Sequence, residues 1–201
     1  MGNYEGPRTM HPEEYDELMD LAEGAYGFTK QHFFNYYPLG SKRKNIIPGN
    51  YFVIKEDGKL VSCVGLVPLE AIVDGSRIKV GGIAGVATHP DYKGRGYMGK
   101  LLNYTTEEMK EREIPLSVLG GDTQRYRHFG WETSGRKVLF HLNRRSLKEV
   151  NIGKDFTWRS YNEKKDLERI IEIYEKEPLR IKHSREDFER MLERTQIQRS
   201  G

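Results

Sequence analysis

An α+β fold, with a mixed and mostly antiparallel sheet flanked by helices, is what this sequence predicts, followed by a helical C-terminal fragment. Three observations carry the prediction. Two Asp-Gly pairs, at 57–58 and 74–75, each separate runs of alternating or β-branched residues, the signature of successive hairpins. Residues 15–25 and 98–109 place apolar side chains at helical spacing on either side of those hairpins. A short apolar run, "IPLSVLGG" at 114–121, then adds a strand beyond the second helix.

The elements follow in order. A short extended piece around residues 8–10 precedes Pro12, a first-turn helix residue. Tyr15, Leu18, Met19, Ala22 and Ala25 form one helical face, and Gly27 stops the run. Residues 28–50, "FTKQHFFNYYPLGSKRKNIIPGN", are aromatic, then basic, then closed by Pro48-Gly49. They read either as a short helix on the core with a solvated loop, or as a wall of a binding cleft. From Tyr51 three antiparallel strands run through the two Asp-Gly turns to Thr88. Met98, Leu101, Leu102, Thr105 and Met109 mark the next helical face. The run "IPLSVLGG" reads as a short buried strand, "TQRYRHFG" as a helical turn or two, and "WETSGRKVLFHLN" as a hairpin around Ser134-Gly135.

Composition narrows the function classes. The 201 residues suffice for one packed domain and part of another, and 36% hydrophobic with 31% charged residues is a globular balance. A formal charge of +3 suits an anionic small ligand but lacks the basic footprint of a nucleic-acid binder. The "SKRK" cluster at 41–44 reads as a solvated loop, so no nucleic-acid partner is expected. Cys63, the one cysteine, excludes an intrachain disulfide and reads as a small strand-packing residue. The N-terminal stretch has no apolar signal-peptide core and residue 6 is glycine, against a myristoylation signal. No apolar run has membrane-spanning length, so no membrane partner and a cytoplasmic location are expected. The six histidines show no paired spacing, and no metal is expected.

The chemistry centres on "YKGRGYMGKLL", residues 92–102. Gly94, Gly96 and Gly99 spell the G-x-G-x-x-G dinucleotide fingerprint, with a strand before it, a helix after it and Asp122 beyond the next strand. Two features count against a dinucleotide. The segment "THPDYK" separates the strand from the first glycine, and the preceding strands are hairpins rather than a parallel unit. A simpler reading needs only glycines that let backbone approach a ligand, and free N–H groups at a helix start. Lys93, Arg95 and Lys100 add positive charge. A pyrophosphate fits such a loop. In coenzyme A that pyrophosphate is joined to a pantetheine arm, whose amides can pair with the strand edge ending at Val86-Ala87-Thr88.

The stretch "VATHPDYKGRGYMGKLL" resembles motif A of the GNAT superfamily of N-acetyltransferases, with Lys93 where Arg or Gln is usual and Met98 where Gly or Ala is usual. "PLSVLGGDTQRYRHFGWE" is similar to the branch that includes the enhanced intracellular survival acetyltransferases, with its Y-x-x-F-G-[YW] segment. The resemblance covers most of residues 1–150. It implies a GNAT-like sheet, acetyl-CoA as cosubstrate, a small-molecule or lysine-type amine as acceptor, and Tyr126 as general acid. It implies cofactor contacts at Val86, Ala87 and Thr88, at Lys93, Gly94, Arg95, Gly96, Tyr97, Met98 and Gly99, and at Gly121 and Asp122. Read without the resemblance, Tyr126 is a packing residue beside Phe129. The branch takes its base from a C-terminal carboxylate. His89, His128, Glu132 and Asp122 are candidates here by type only, and no base is assigned. The rival class is a domain that holds acyl-CoA as a sensor or scaffold.

Residues 1–154 are then one domain, and from about 155 the pattern begins again. Leu167, Ile170, Ile171 and Tyr174 repeat the face of Tyr15, Leu18, Met19 and Ala22 at a fixed displacement (167 − 15 = 152). Ser184 reads as an N-cap before Phe188, Met191 and Leu192. Two readings apply to 155–201: a two-helix extension packed on the first domain, or the opening of a second GNAT-like repeat. The second is expected, with two helices lacking their sheet and open to docking on another copy as a homo-oligomer.

Overall fold

A computed structural model describes residues 4–37, 42–134 and 159–197. Strands β1 (Tyr4–Thr9), β2 (Tyr51–Glu56), β3 (Lys59–Val73), β4 (Ser76–Thr88) and β5 (Leu116–Leu119) lie side by side in that order. Neighbours are antiparallel except β4 and β5, which are parallel. This is the mixed, mostly antiparallel sheet the sequence predicts. Asp57-Gly58 and Asp74-Gly75 all take positive φ, the backbone that a two-residue hairpin turn requires.

Helices cover both faces. A 3-10 turn at Pro12–Glu14 leads into α1 (Tyr15–Tyr26), which ends at left-handed Gly27. Next, α2 (Lys30–Tyr36) is capped by Thr29, whose hydroxyl accepts from the His32 N–H. On the other face lies α3 (Tyr97–Glu111), and α4 (Thr123–Tyr126) is one short turn. The alternation of β2 sorts the core. Phe52 and Ile54 pack with Leu101 and Leu102 of α3, while Tyr51 and Val53 pack with Leu18 and Leu21 of α1. Each such side chain contributes about 1.5–3 kcal/mol on burial, so both helices are held firmly. Arg8 donates to both oxygens of buried Glu14 at 2.9 and 2.7 Å, tying β1 to the start of α1. That guanidinium pulls the Glu14 carboxyl down to about 2.

Two expectations need correction. The run "IPLSVLGG" is not buried as a strand: Leu116 is 48% and Val118 43% exposed, because β5 is an edge strand covered on one face among the described residues. The C-terminal helices α5 (Glu163–Glu175) and α6 (Arg185–Ile197) are expected with no further strand, yet one lies between them. Between them β6 (Leu179–Ile181) pairs antiparallel with Ala71, Ile72 and Val73, beyond the reach of β2. Three residues flanked by Pro178 and Lys182 gave no period to read. Ser184 does cap α6, exchanging hydrogen bonds with Asp187. From residue 135 on, the hairpin expected around Ser134-Gly135 lies outside the described residues. Among those residues no helix is long and apolar enough to cross a membrane.

Candidate functional site

The site begins where two strands part. Pairing of β4 with β5 stops at Ile83 and Leu119, yet β4 continues to Thr88. Within that overhang, Gly85 and Val86 oppose the single residue Val64 of β3. This β-bulge turns on Gly85, whose φ of +58° lies in the left-handed region. A bulge breaks the ladder and bends its strand, so β4 leaves β5 and presents an edge. Sequence reasoning missed it; the one available signal was glycine at Gly81, Gly82 and Gly85 inside a strand.

A cleft of about 640 Å³ opens along this edge. Val86, Ala87 and Thr88 form one side, and Lys93, Gly94, Gly96, Tyr97, Met98 and Gly99 the other. Gly94 and Gly96 adopt φ of +80° and +78°, so the loop winds back on itself before α3 starts. The first N–H inside α3 to find an intrahelical acceptor is that of Lys100, which donates to the Gly96 carbonyl at 3.1 Å. The N–H groups of Tyr97, Met98 and Gly99 precede it at the positive end of the helix dipole, an arrangement that holds anions. Phe129 closes the floor: a Cβ on Gly99 would meet its ring at 3.3 Å.

The charges are arranged differently from the sequence expectation. Arg95 is absent from the cleft wall; it donates to Glu56 Oε1 at 2.7 Å and stacks over the Tyr92 ring. Lys100 donates to the Tyr4 hydroxyl at 2.7 Å and lies over that ring. Lys93 stays in the wall and is joined by Arg125, which sequence reasoning passed over. Glu56, 2% exposed at the end of β2, also accepts from the Tyr97 hydroxyl at 2.5 Å. One buried carboxylate thus clamps the glycine loop on both sides of Gly96. The pattern showed Glu56 only as a turn residue.

Tyr126, Gly121 and Asp122 also lie outside the cleft wall among the described residues. Asp122 caps α4, accepting from the Gln124 N–H at 3.0 Å, which answers for its position without a ribose. Gly121 makes room for Tyr126: a Cβ there would meet the tyrosine ring at 2.6 Å. Tyr126 is 7% exposed and packs edge-on to Trp131. Its hydroxyl has no hydrogen-bond partner among the described residues. The Trp131 indole donates to Ser117, so the Y-x-x-F-G-W segment is anchored to β5 through one end and to the loop through Phe129.

A second tyrosine, Tyr26, stands at the end of α1 and was not singled out by the sequence. Its hydroxyl donates to the Val86 carbonyl at 2.8 Å, and burial of that end raises its pKa. It lines this cleft and also a second cavity of about 360 Å³, between α1, α2 and the bulge. The rings of Phe28, Phe33 and Tyr37 form one wall of that cavity, and Ile46 is the other residue of the 28–50 stretch that lines it among the described residues. Cys63 lies at its base, buried, with burial pushing its thiol up to about 12, too high for a nucleophile at neutral pH.

Comparisons agree with this architecture. A family model described as an acetyltransferase (GNAT) domain matches residues 7–134. No curated protein matches. A GNAT family acetyltransferase from Brucella melitensis in complex with acetyl-CoA is similar in fold, with TM-score 0.55 and 22% identity, over 66% of this chain and 85% of that one. A GCN5-related N-acetyltransferase from Kribbella flavida aligns with TM-score 0.53 and 19% identity, over 63% of this chain. Eis1 from Mycobacterium abscessus aligns with TM-score 0.52 and 16% identity, over 64% of this chain. The alignments span 32% of the Kribbella chain and 31% of Eis1.

Proposed function

The chain belongs to the acetyltransferase (GNAT) domain family, and from that premise we propose that it moves an acetyl group from acetyl-CoA to a primary amine, with Tyr126 as general acid. The observation that carries the reading is the meeting of the glycine loop and the parted edge of β4 in one cleft. The loop supplies N–H donors and Lys93 for a pyrophosphate, and the edge at Val86, Ala87 and Thr88 supplies amide partners for a pantetheine arm. Acetyl-CoA bound to the Brucella protein of the same fold supports this ligand.

In the reaction the amine nitrogen bonds to the thioester carbonyl carbon and the C–S bond breaks. The departing sulfur takes a proton and the new amide nitrogen loses one. A tyrosine hydroxyl is protonated at neutral pH and can donate to the sulfur. Hydrogen bonding favours Tyr126 over Tyr26 as that donor, because the Tyr26 hydroxyl is already committed to the Val86 carbonyl and that of Tyr126 has no partner among the described residues. No base is assigned. The narrower reading is an enhanced-intracellular-survival type enzyme, in the cytoplasm, with residues 155–201 opening a second GNAT-like repeat; it rests on the Y-x-x-F-G-W segment at 126–131 and the helical repeat from 167, and Eis1 shares the fold.

Thermal melts with acetyl-CoA and with NAD test the ligand. Acetyl-CoA at 100 times its dissociation constant should stabilise the protein by about 2.7 kcal/mol, and NAD should not. Protection by NAD alone would overturn the reading. The rival, a domain that holds acyl-CoA without catalysis, predicts the same melt but no thiol release with any amine.

A further inference from the structure

The second cavity bears on the choice of acceptor. Its wall is made by Leu18, Met19, Phe28, Phe33, Tyr37 and neighbours of the same kind, and no described lining residue carries a formal charge. It touches the bulge at Ala84 and Gly85, one residue from Val86 of the cosubstrate cleft, and Tyr26 is common to both spaces. Resting on the acyl-transfer reading, we propose that this cavity receives the acceptor, and that the acceptor is a monoamine on an aromatic or branched apolar body.

Three physical points support that class. The volume of about 360 Å³ matches one small ring or branched chain and is at the small end for ligand pockets. Phe28 stacks on His32 at 4.3 Å with planes 12° apart, and Phe33 stands edge-on to both Phe28 and Tyr26. Such a wall offers ring faces and edges to another ring. With no carboxylate among the described lining residues, the cavity selects against polycations, whose extra ammonium groups would lose water with no anion in return. The same uncharged lining serves the chemistry. An alkylamine with pKa near 10.4 is almost wholly protonated in neutral water. Surroundings that disfavour charge lower that pKa, so the cavity itself favours the neutral nucleophile. A reaction without an assigned base is then less demanding.

The test measures thiol release from acetyl-CoA with 2-phenylethylamine, with an Nα-blocked lysine amide and with an aminoglycoside. The expected result is kcat/KM for phenylethylamine at least about ten-fold above the other two, the scale on which apolar pockets discriminate. Phe28→Ala should raise KM for phenylethylamine about ten-fold and leave protection by acetyl-CoA unchanged. Tyr37→Ala, on the same wall, provides a second variant should the first fail to fold. Equal or better turnover of the lysine amide or aminoglycoside would overturn the proposal. So would an unchanged KM in the variants. Protection by acetyl-CoA, with phenylethylamine neither turned over nor bound to the CoA-loaded protein, overturns the acceptor class alone. No protection by acetyl-CoA overturns the function, and this proposal with it.

Discussion

The two cavities share Tyr26 and one strand, yet they are built from different materials. The cosubstrate cleft is built around backbone, a glycine loop, a helix start and a strand edge from residues 86–99, with Tyr26, Arg125 and Phe129 also in its wall. The aromatic cavity is mostly side chain, gathered from α1, α2, β2, β3, the bulge and Gly120. Backbone donors do not depend on the identity of their residue, so the first cavity tolerates departures such as Met98. Side-chain walls depend on every ring. The cleft is suited to a ligand common to a whole family, and the aromatic cavity to one that differs between members.

Substitutions can break or sharpen that contrast. The largest effect is expected at Tyr126, which stands in neither cavity wall. Tyr126→Phe should lower turnover by about 10² to 10⁴ and leave acetyl-CoA affinity nearly unchanged. Tyr26→Phe, which removes only the bond to Val86, should cost far less. Steady-state kinetics and melts on both variants decide the matter, and turnover of Tyr126→Phe within two-fold of the parent would make that residue structural.

A smaller effect separates backbone from side chain directly. Gly96→Ala places a Cβ in open space but keeps φ at +78°, so its whole cost is conformational, about 1–2 kcal/mol. Urea unfolding should read that loss, and acetyl-CoA should bind more weakly while binding of phenylethylamine is spared. Unchanged stability would show that the loop needs no left-handed residue there.

The smallest effect concerns what supports each cavity. The glycine loop is clamped by buried Glu56, whereas α2, which carries Phe33 of the aromatic wall, packs beside α6 of the C-terminal unit. That unit reaches the sheet through three residues of β6 and buries Leu167 and Phe188. Short elements with little buried apolar surface open first. Amides of residues 163–194 should therefore exchange with deuterium before those of 76–88. Equal protection in a monomeric protein would make the C-terminal unit integral to one fold and end the second-repeat reading.

By itself the sequence determined the hairpins, the two long amphipathic helices and the glycine loop. Each depends on local causes: Asp-Gly pairs that accept positive φ, a 3.6-residue period, glycines at fixed spacing. It also marked Tyr126 through a motif, and it located the aromatic stretch without deciding its use. Only the tertiary structure decided which charges face the ligand. Arg95 and Lys100 carry the same formal charge as Lys93 and Arg125, but Glu56 and Tyr4, distant in sequence, draw the first two away. The bulge at Gly85 needs β3 opposite it before it exists, and β6 needs the uncovered end of β3. The aromatic cavity is the space left when residues 18 to 120 pack around it. Periodicity records what each segment prefers alone; a cavity belongs to no segment, so it forms only when distant segments meet.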